Sequence, residues 1–259
     1  MPPYLIVAAV GLIFGSFLNV CIYRLPRNQS LVLPASRCPS CDNPIRPWDN
    51  IPVLSYLILG GRCRYCGQRI SLRYPLVEAL NAFLYSTVIW RYGFGWDSAL
   101  YCLLISALIV ITFIDLDFQI IPDRITLTGI PVGLLSGSFV LPDPFLRTSA
   151  LGFKSSLIGG ASGFLFYYLI AYLSIAIVKK EGMGGGDIKL MAMVGAFLGW
   201  KTVILTTFLG SVFGSIVGVA IMIGRGKAGS VQIPFGPYLA LGAVISLFFG
   251  QEILTWYLH

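Results

Sequence analysis

Apolar stretches long enough to enter a lipid bilayer recur from one end of this chain to the other. They constrain its fold more than any other feature. A spanning helix needs roughly 20 mostly apolar residues. The sequence offers eight such segments, at approximately 4–23, 75–91, 97–114, 124–142, 156–178, 188–200, 202–223 and 235–257, the sixth of them short. Only 11% of the 259 residues are charged, against about 25% in soluble domains, so the chain lacks the charge to solvate a folded surface. The first segment is not a typical cleaved signal peptide: it lacks a basic lead-in, and Tyr23-Arg24-Leu25-Pro26 is no small-residue cleavage site. The expectation is an all-α polytopic membrane protein of about eight transmembrane helices.

The net charge of +7 raises the possibility of a nucleic-acid partner, but the positions of the cations argue for topology instead. With the N-terminus outside, the inner loops hold Arg24, Arg27, Arg37, Arg46, Arg62, Arg64, Arg69, Arg73, Arg124, Lys179, Lys180, Lys189, Arg225 and Lys227. That is fourteen of the 18 Lys and Arg residues. Arg91, Arg147, Lys154 and Lys201 remain outside. This is the positive-inside asymmetry. It predicts both termini outside, residues 24–74 in the cytoplasm, and the lipid bilayer rather than nucleic acid as partner.

One long polar interruption, rich in Pro and Arg, divides the apolar pattern. The expected organisation is a first transmembrane helix at 1–23, a cytoplasmic four-cysteine domain at 24–74, and a transmembrane bundle at 75–259. No internal repeat or low-complexity tract is evident.

The inserted domain carries Cys38-Pro-Ser-Cys41 and Cys63-Arg-Tyr-Cys66, separated by twenty-one residues. Each C-x-x-C turns the chain back and aims two sulfurs at one ion, and two such clamps complete a tetrahedral four-thiolate zinc shell. A reducing cytoplasm disfavours the alternative of disulfides. Four protein ligands leave no open coordination position, so the predicted zinc is structural, a staple for about fifty residues whose own core is marginal. Gly67 follows the second pair, as a turn with positive φ requires. Cys21 and Cys102 lie in spans and read as packing residues.

Ionisable residues near membrane segments are functional candidates by default. Glu78, Asp115, Asp117, Asp123, Glu181 and Asp187 all fall near the cytoplasmic side of the predicted topology. Asp115 ends the third span within FIDLDFQIIPD (113–123), and Asp187 begins the sixth within EGMGGGDIKL (181–190). Two neighbouring carboxylates share a proton and can act as acid and base together, one activating water while the other protonates a carbonyl. The single histidine, His259, is the last residue, which leaves little material for a Ser-His-Asp triad or a His-liganded zinc. No H-E-x-x-H or P-loop is present. Gly184, Gly185 and Gly186 permit close backbone approach beside Asp187, and Pro122 interrupts regular helix. These residues suit the wall of a groove that receives extended peptide. A flexible loop with Asp187 as the helix N-cap satisfies the same pattern.

GSFLNVCIYRLP (15–26), the two C-x-x-C pairs, RYPLVEAL (73–80), FIDLDFQIIPD, EGMGGGDIKL and IPFGPYLALG (233–242) together resemble the type IV prepilin peptidases, the leader peptidase/N-methyltransferases of type IV pilus and type II secretion systems. The resemblance implies a membrane aspartic endopeptidase of the G-x-G-D class in the bacterial inner membrane. It implies cleavage of prepilin and pseudopilin leaders at the cytoplasmic face, then N-methylation of the new terminus with S-adenosylmethionine. Its two catalytic aspartates map onto Asp115, by the spacing to Pro122, and Asp187. No Gly-rich fingerprint marks the methyl-donor site. The residues alone also allow a transporter or proton channel using the same aspartates as a relay, or an assembly scaffold built on the cysteine domain.

Overall fold

The computed structural model describes residues 2–147, 149–179, 183–225 and 233–258. Lys180, Glu181, Lys227 and His259, all weighed above, and Gly182 lie outside the described residues. Those that are described form helices and loops with no strand, only isolated bridges.

The chain divides into two units, Met1–Val110 and Ile111–His259. In the first, α1 (Pro2–Arg24) and α3 (Arg73–Tyr92) flank the cysteine segment, which contains one short helix, α2 (Leu54–Ile58). α1 and α3 pack antiparallel at close range. A Cβ on Gly11 would fall 2.6 Å from Ala82 Cα, and one on Gly15 equally close to Glu78 Cα. One turn further on, Asn19 Nδ2 donates to the Tyr74 carbonyl at 3.1 Å. Small residues at such crossings let backbones meet where lipid offers no hydrophobic drive for association. A buried polar chain continues the packing: Asn81 Nδ2 donates to the Gly11 carbonyl, and Ser106 bridges Asn81 Oδ1 and the Tyr85 hydroxyl.

α4 (Trp96–Phe118) carries the division between Val110 and Ile111 and delivers Asp115 to the second unit. There α5 (Asp123–Phe139), α6 (Gly152–Leu173), α7 (Gly185–Leu198), α8 (Trp200–Arg225) and α9 (Gly236–Leu258) follow. A π-helical turn, Ser174–Val178, extends α6. α7 is the core: Asp187, Ile188 and every residue from Leu190 to Leu198 are buried. α6 approaches it so closely that a Cβ on Gly159 or Gly195 would strike the other residue's carbonyl oxygen. Gly199, at φ 82°, makes the one-residue turn from α7 to α8. On α8, by contrast, Ile204, Phe208, Val212, Ile216, Val219 and Ile223 are exposed in a continuous stripe, as in a helix that faces lipid.

Among the described residues, five helices are long and apolar enough to cross a membrane: Pro3–Arg27, Trp96–Phe118, Gly152–Ile177, Trp200–Gly224 and Gly236–Tyr257. The expected count of eight is not reached on that criterion, although each predicted segment is a helix. α7 has 14 residues, about 21 Å at 1.5 Å per residue, against a hydrocarbon core of about 30 Å. α5 has 17 residues and contains Pro131. α3 is long enough but carries Arg73, Glu78 and Arg91.

Candidate active site and metal centre

The cysteine segment is built from two copies of one turn. In the first, the Cys38 N–H donates to the Asn43 carbonyl, the Asp42 N–H to the Cys38 carbonyl, and the Ile45 N–H to the Ser36 carbonyl. In the second, Cys63 donates to Gln68, Gly67 to Cys63, and Ile70 to Gly61. The bridges Arg37–Pro44 and Arg62–Arg69 fall at matching positions. So do the left-handed residues that follow each second cysteine, Asp42 at φ 55° and Gly67 at φ 68°. SRCPSCDNPI (36–45) and GRCRYCGQRI (61–70) are therefore a short internal repeat, contrary to the expectation of none. It was missed because beyond the cysteines the two copies share only an arginine and an isoleucine.

These turns bring the Sγ atoms of Cys38, Cys41, Cys63 and Cys66 within 4.8 Å of one another. Cys38 and Cys66 are 3.9 Å apart. Tetrahedral zinc with bonds of about 2.3 Å sets sulfurs about 3.8 Å apart, so the cluster fits a metal of that size. Backbone N–H groups favour thiolate at two positions. Those of Cys66 and then Tyr65 draw the Cys63 thiol from 9.0 down to about 7, and that of Asn43 leads in lowering Cys41. The spacer residues of the second turn hold the chain leaving the first. Arg64 donates to both oxygens of Asp49, with Nε at 2.8 Å from Oδ2, and keeps that carboxyl below its usual range. The Tyr65 hydroxyl accepts from Arg46 Nε at 2.7 Å.

In the second unit the structure separates the three carboxylates of FIDLDFQIIPD. Asp115 is buried, whereas Asp117 and Asp123 are exposed. Helix geometry explains the first contrast, since residues two apart point about 200° apart around the axis. Pro122 holds the N-cap position of α5, and Asp123, one residue inside the helix, pairs with Lys189 at 2.6 Å. Asp187 is buried in the first turn of α7, with Gly184 as N-cap. The alternative of Asp187 as a solvated N-cap is therefore not what the fold contains.

A chain of contacts joins Asp115 to Asp187. The Gly236 N–H, at the first residue of α9, donates to Asp115 Oδ2 at 2.9 Å. Ile121 lies against both glycines: a Cβ on Gly236 would meet Ile121 Cδ1 at 3.3 Å, and one on Gly186 would meet Ile121 Cβ at 2.7 Å. Gly186 precedes Asp187 directly, and a Cβ on Gly184 would stand 3.7 Å from Asp187 Oδ2. Ile121 and Gly236 were not picked out individually from the sequence. Nothing in IPFGPYLALG signals a backbone donor. Tyr167 of α6 is also close, acted on by the charge of Asp187 and with its hydroxyl 3.0 Å from Thr207 Oγ1.

Long apolar helices, a four-thiolate cluster and two buried aspartates, one near the end of α4 against the start of α9 and one in the first turn of α7, together define a polytopic membrane protein. Residues 9–92 match the Bacterial Peptidase A24 N-terminal domain and residues 102–219 the Type IV leader peptidase family. A prepilin leader peptidase/N-methyltransferase of Pseudomonas aeruginosa is 38% identical, the match covering 96% of this chain and 91% of the relative. That of Pseudomonas putida is 40% identical over 97% and 93%, and that of Legionella pneumophila 34% over 98% and 94%. No solved structure matches the chain significantly. The chain belongs to the type IV leader peptidase family.

Proposed function

We propose that this chain cleaves the leader peptide of type IV prepilins and pseudopilins at the cytoplasmic face of the bacterial inner membrane and then N-methylates the new terminal residue. Membership of the family and the names of its relatives support both activities. The observation that carries the cleavage mechanism is the burial of Asp115 and Asp187 around Ile121, Gly186 and Gly236. One carboxylate takes a proton from water, whose oxygen attacks the scissile carbonyl carbon. The other, protonated, gives its proton to the carbonyl oxygen. The tetrahedral diol then collapses, the amide nitrogen takes up a proton, and the C–N bond breaks. Gly184, Gly185, Gly186 and Pro122 line the groove in which the extended peptide lies.

In this reading all eight long helices enter the membrane, with α7 shielded from lipid by its neighbours. Both termini are outside, and residues 24–74 are cytoplasmic. The four cysteines hold one structural zinc, which fixes the two turns and takes no part in the chemistry. S-adenosylmethionine supplies the methyl group, and no residue of the chain is assigned to holding it. A transporter using the aspartates as a relay has no support in the family membership. The test is incubation of the purified protein with a prepilin and a labelled methyl donor, with leader release and label incorporation measured separately. A protein that does neither, while retaining its fold in the membrane, contradicts the proposal.

A further inference from the structure

Within the cysteine segment, Ile51–Leu59 (IPVLSYLIL) is apolar except for Ser55 and the hydroxyl of Tyr56. Its short helix α2 is arranged inside out. Leu54, Leu57 and Ile58 share one face by their spacing and are 50%, 67% and 71% exposed, while Ser55 and Tyr56 are half-buried. Ser55 Oγ donates to the Ile51 carbonyl at 2.7 Å. The Tyr56 ring packs so close to Gly61 that a Cβ there would lie 2.8 Å from its hydroxyl. In water this orientation is unfavourable, because apolar side chains are stabilised by leaving contact with solvent.

The depth of α2 is fixed by a hydrogen bond. The Val53 N–H, at the N-cap of α2, donates to Glu78 Oε2 at 2.7 Å. Glu78 is buried in α3, five residues beyond Arg73, or about 7.5 Å along the axis. It is level with Gly15 of α1, whose helix is a candidate span. Its side chain leans back toward the start of α3, so Val53 sits between the levels of Arg73 and Glu78. Val53 also takes φ 60°, ψ −47°, a strained region for a β-branched residue that persists only where the surroundings impose it. The outward face of α2 thus lies just inside the level at which the membrane helices acquire their first charges, Arg24 and Arg73. Leu72 and Leu76, at the start of α3, are likewise exposed. Trp48 is exposed immediately before the apolar run, a residue enriched at the membrane interface. The cations Arg46, Arg62 and Arg69 belong to the flanking polar turns and suit phospholipid headgroups.

We propose that Ile51–Leu59 is a membrane-embedded anchor, with Leu54, Leu57 and Ile58 buried at the boundary between headgroups and acyl chains. The occupant of this face is the bilayer, continuous with the lipid around α1 and α3. Glu78 is the latch that sets its depth. The cysteine cluster is consequently seated against the headgroups instead of standing free in the cytoplasm.

The test places photoreactive p-benzoylphenylalanine at Leu57 of the full chain in phospholipid nanodiscs of phosphatidylethanolamine and phosphatidylglycerol, with the exposed Gln68 of the second cysteine turn as control. The expected result is lipid adducts by mass spectrometry at position 57, in several-fold excess over position 68. Equal, low yields at the two positions overturn the anchor. Adducts at position 57 that shift from lipid to an added prepilin also overturn it, by giving the face to substrate. Wild-type protein labelled with a lipid-borne or a water-borne carbene source provides the same reading without substitution. Labelling of Val53–Leu59 from water and not from lipid contradicts the proposal. Glu78→Ala should make that segment several-fold more reactive to the water-borne label, and Glu78→Gln less so, because the amide oxygen can still accept from Val53.

Discussion

The Gly236 N–H donates to Asp115 Oδ2 at 2.9 Å, and a Cβ on Gly236 would stand 2.7 Å from that same oxygen. The donor and the missing side chain do one job: they let the start of α9 approach a buried carboxylate and fix its orientation. Helix starts favour negative charge.

Gly236→Ala should therefore displace the Asp115 carboxylate. Overpacking of this kind costs roughly 1–3 kcal/mol, and if half or more of that is felt in the transition state, cleavage falls about tenfold. Leader release by the purified variant checks this, with metal content as a control for folding of the cysteine segment. A wild-type cleavage rate would show that Gly236 does not position Asp115.

Replacing the carboxylates one at a time separates them. Asp115→Asn and Asp187→Asn should each abolish cleavage, since asparagine keeps the shape but cannot share a proton. Asp117→Asn and Asp123→Asn should retain at least partial activity, because both side chains are exposed and Asp123 is paired with Lys189. Methylation of a pre-cleaved pilin should survive in both inactive variants. Full cleavage by Asp115→Asn with loss in Asp117→Asn would place the chemistry on the other face of α4.

Much of this was legible before the fold. Every apolar segment became a helix, and the spacing of the cysteines announced a four-sulfur cluster that the structure assembles. Residue types alone could not choose Asp115 over Asp117, because that choice depends on which face of α4 is covered. Nor could they foresee Gly236, which acts through its backbone N–H and looks like any glycine before a proline. The depth of Ile51–Leu59 was hidden for a similar reason. Its nine residues are too few to read as a span, and only the hydrogen bond to Glu78 ties them to α3.

The cysteine cluster should hold one zinc per chain. Cys38→Ser with Cys41→Ser, or the same change at Cys63 and Cys66, should lose the metal and leave residues 28–72 open to protease, because binding and folding of such small units are coupled. A strong chelator should reproduce the effect on the wild-type protein. Elemental analysis finding less than a stoichiometric quantity of metal in active protein, with the thiols oxidised in pairs, would contradict the assignment.

The two glycines before Asp187 should respond in opposite ways. Both are in the first turn of α7, at ordinary helical angles, so neither is required for its backbone conformation. What differs is the space around them. A Cβ at residue 185 meets nothing within 4 Å, whereas one at residue 186 would fall 2.7 Å from Ile121 Cβ and 3.2 Å from its Cγ1. Ile121 is β-branched and has few rotamers with which to give way. It also lies against Gly236, so a displaced Ile121 presses on the residue that holds Asp115. Gly185→Ala should accordingly keep most of the cleavage activity, and alanine at an N-terminal helical position should, if anything, favour the helix. Gly186→Ala should depress cleavage by about tenfold or more through an overpacking cost of roughly 1–3 kcal/mol. Gly186→Ala combined with Ile121→Gly, which removes Cβ along with Cγ1 and Cδ1, should recover part of the loss. Rescue of this kind identifies the Ile121 contact as the cause, whereas equal activity of Gly185→Ala and Gly186→Ala would show that Ile121 does not constrain the site.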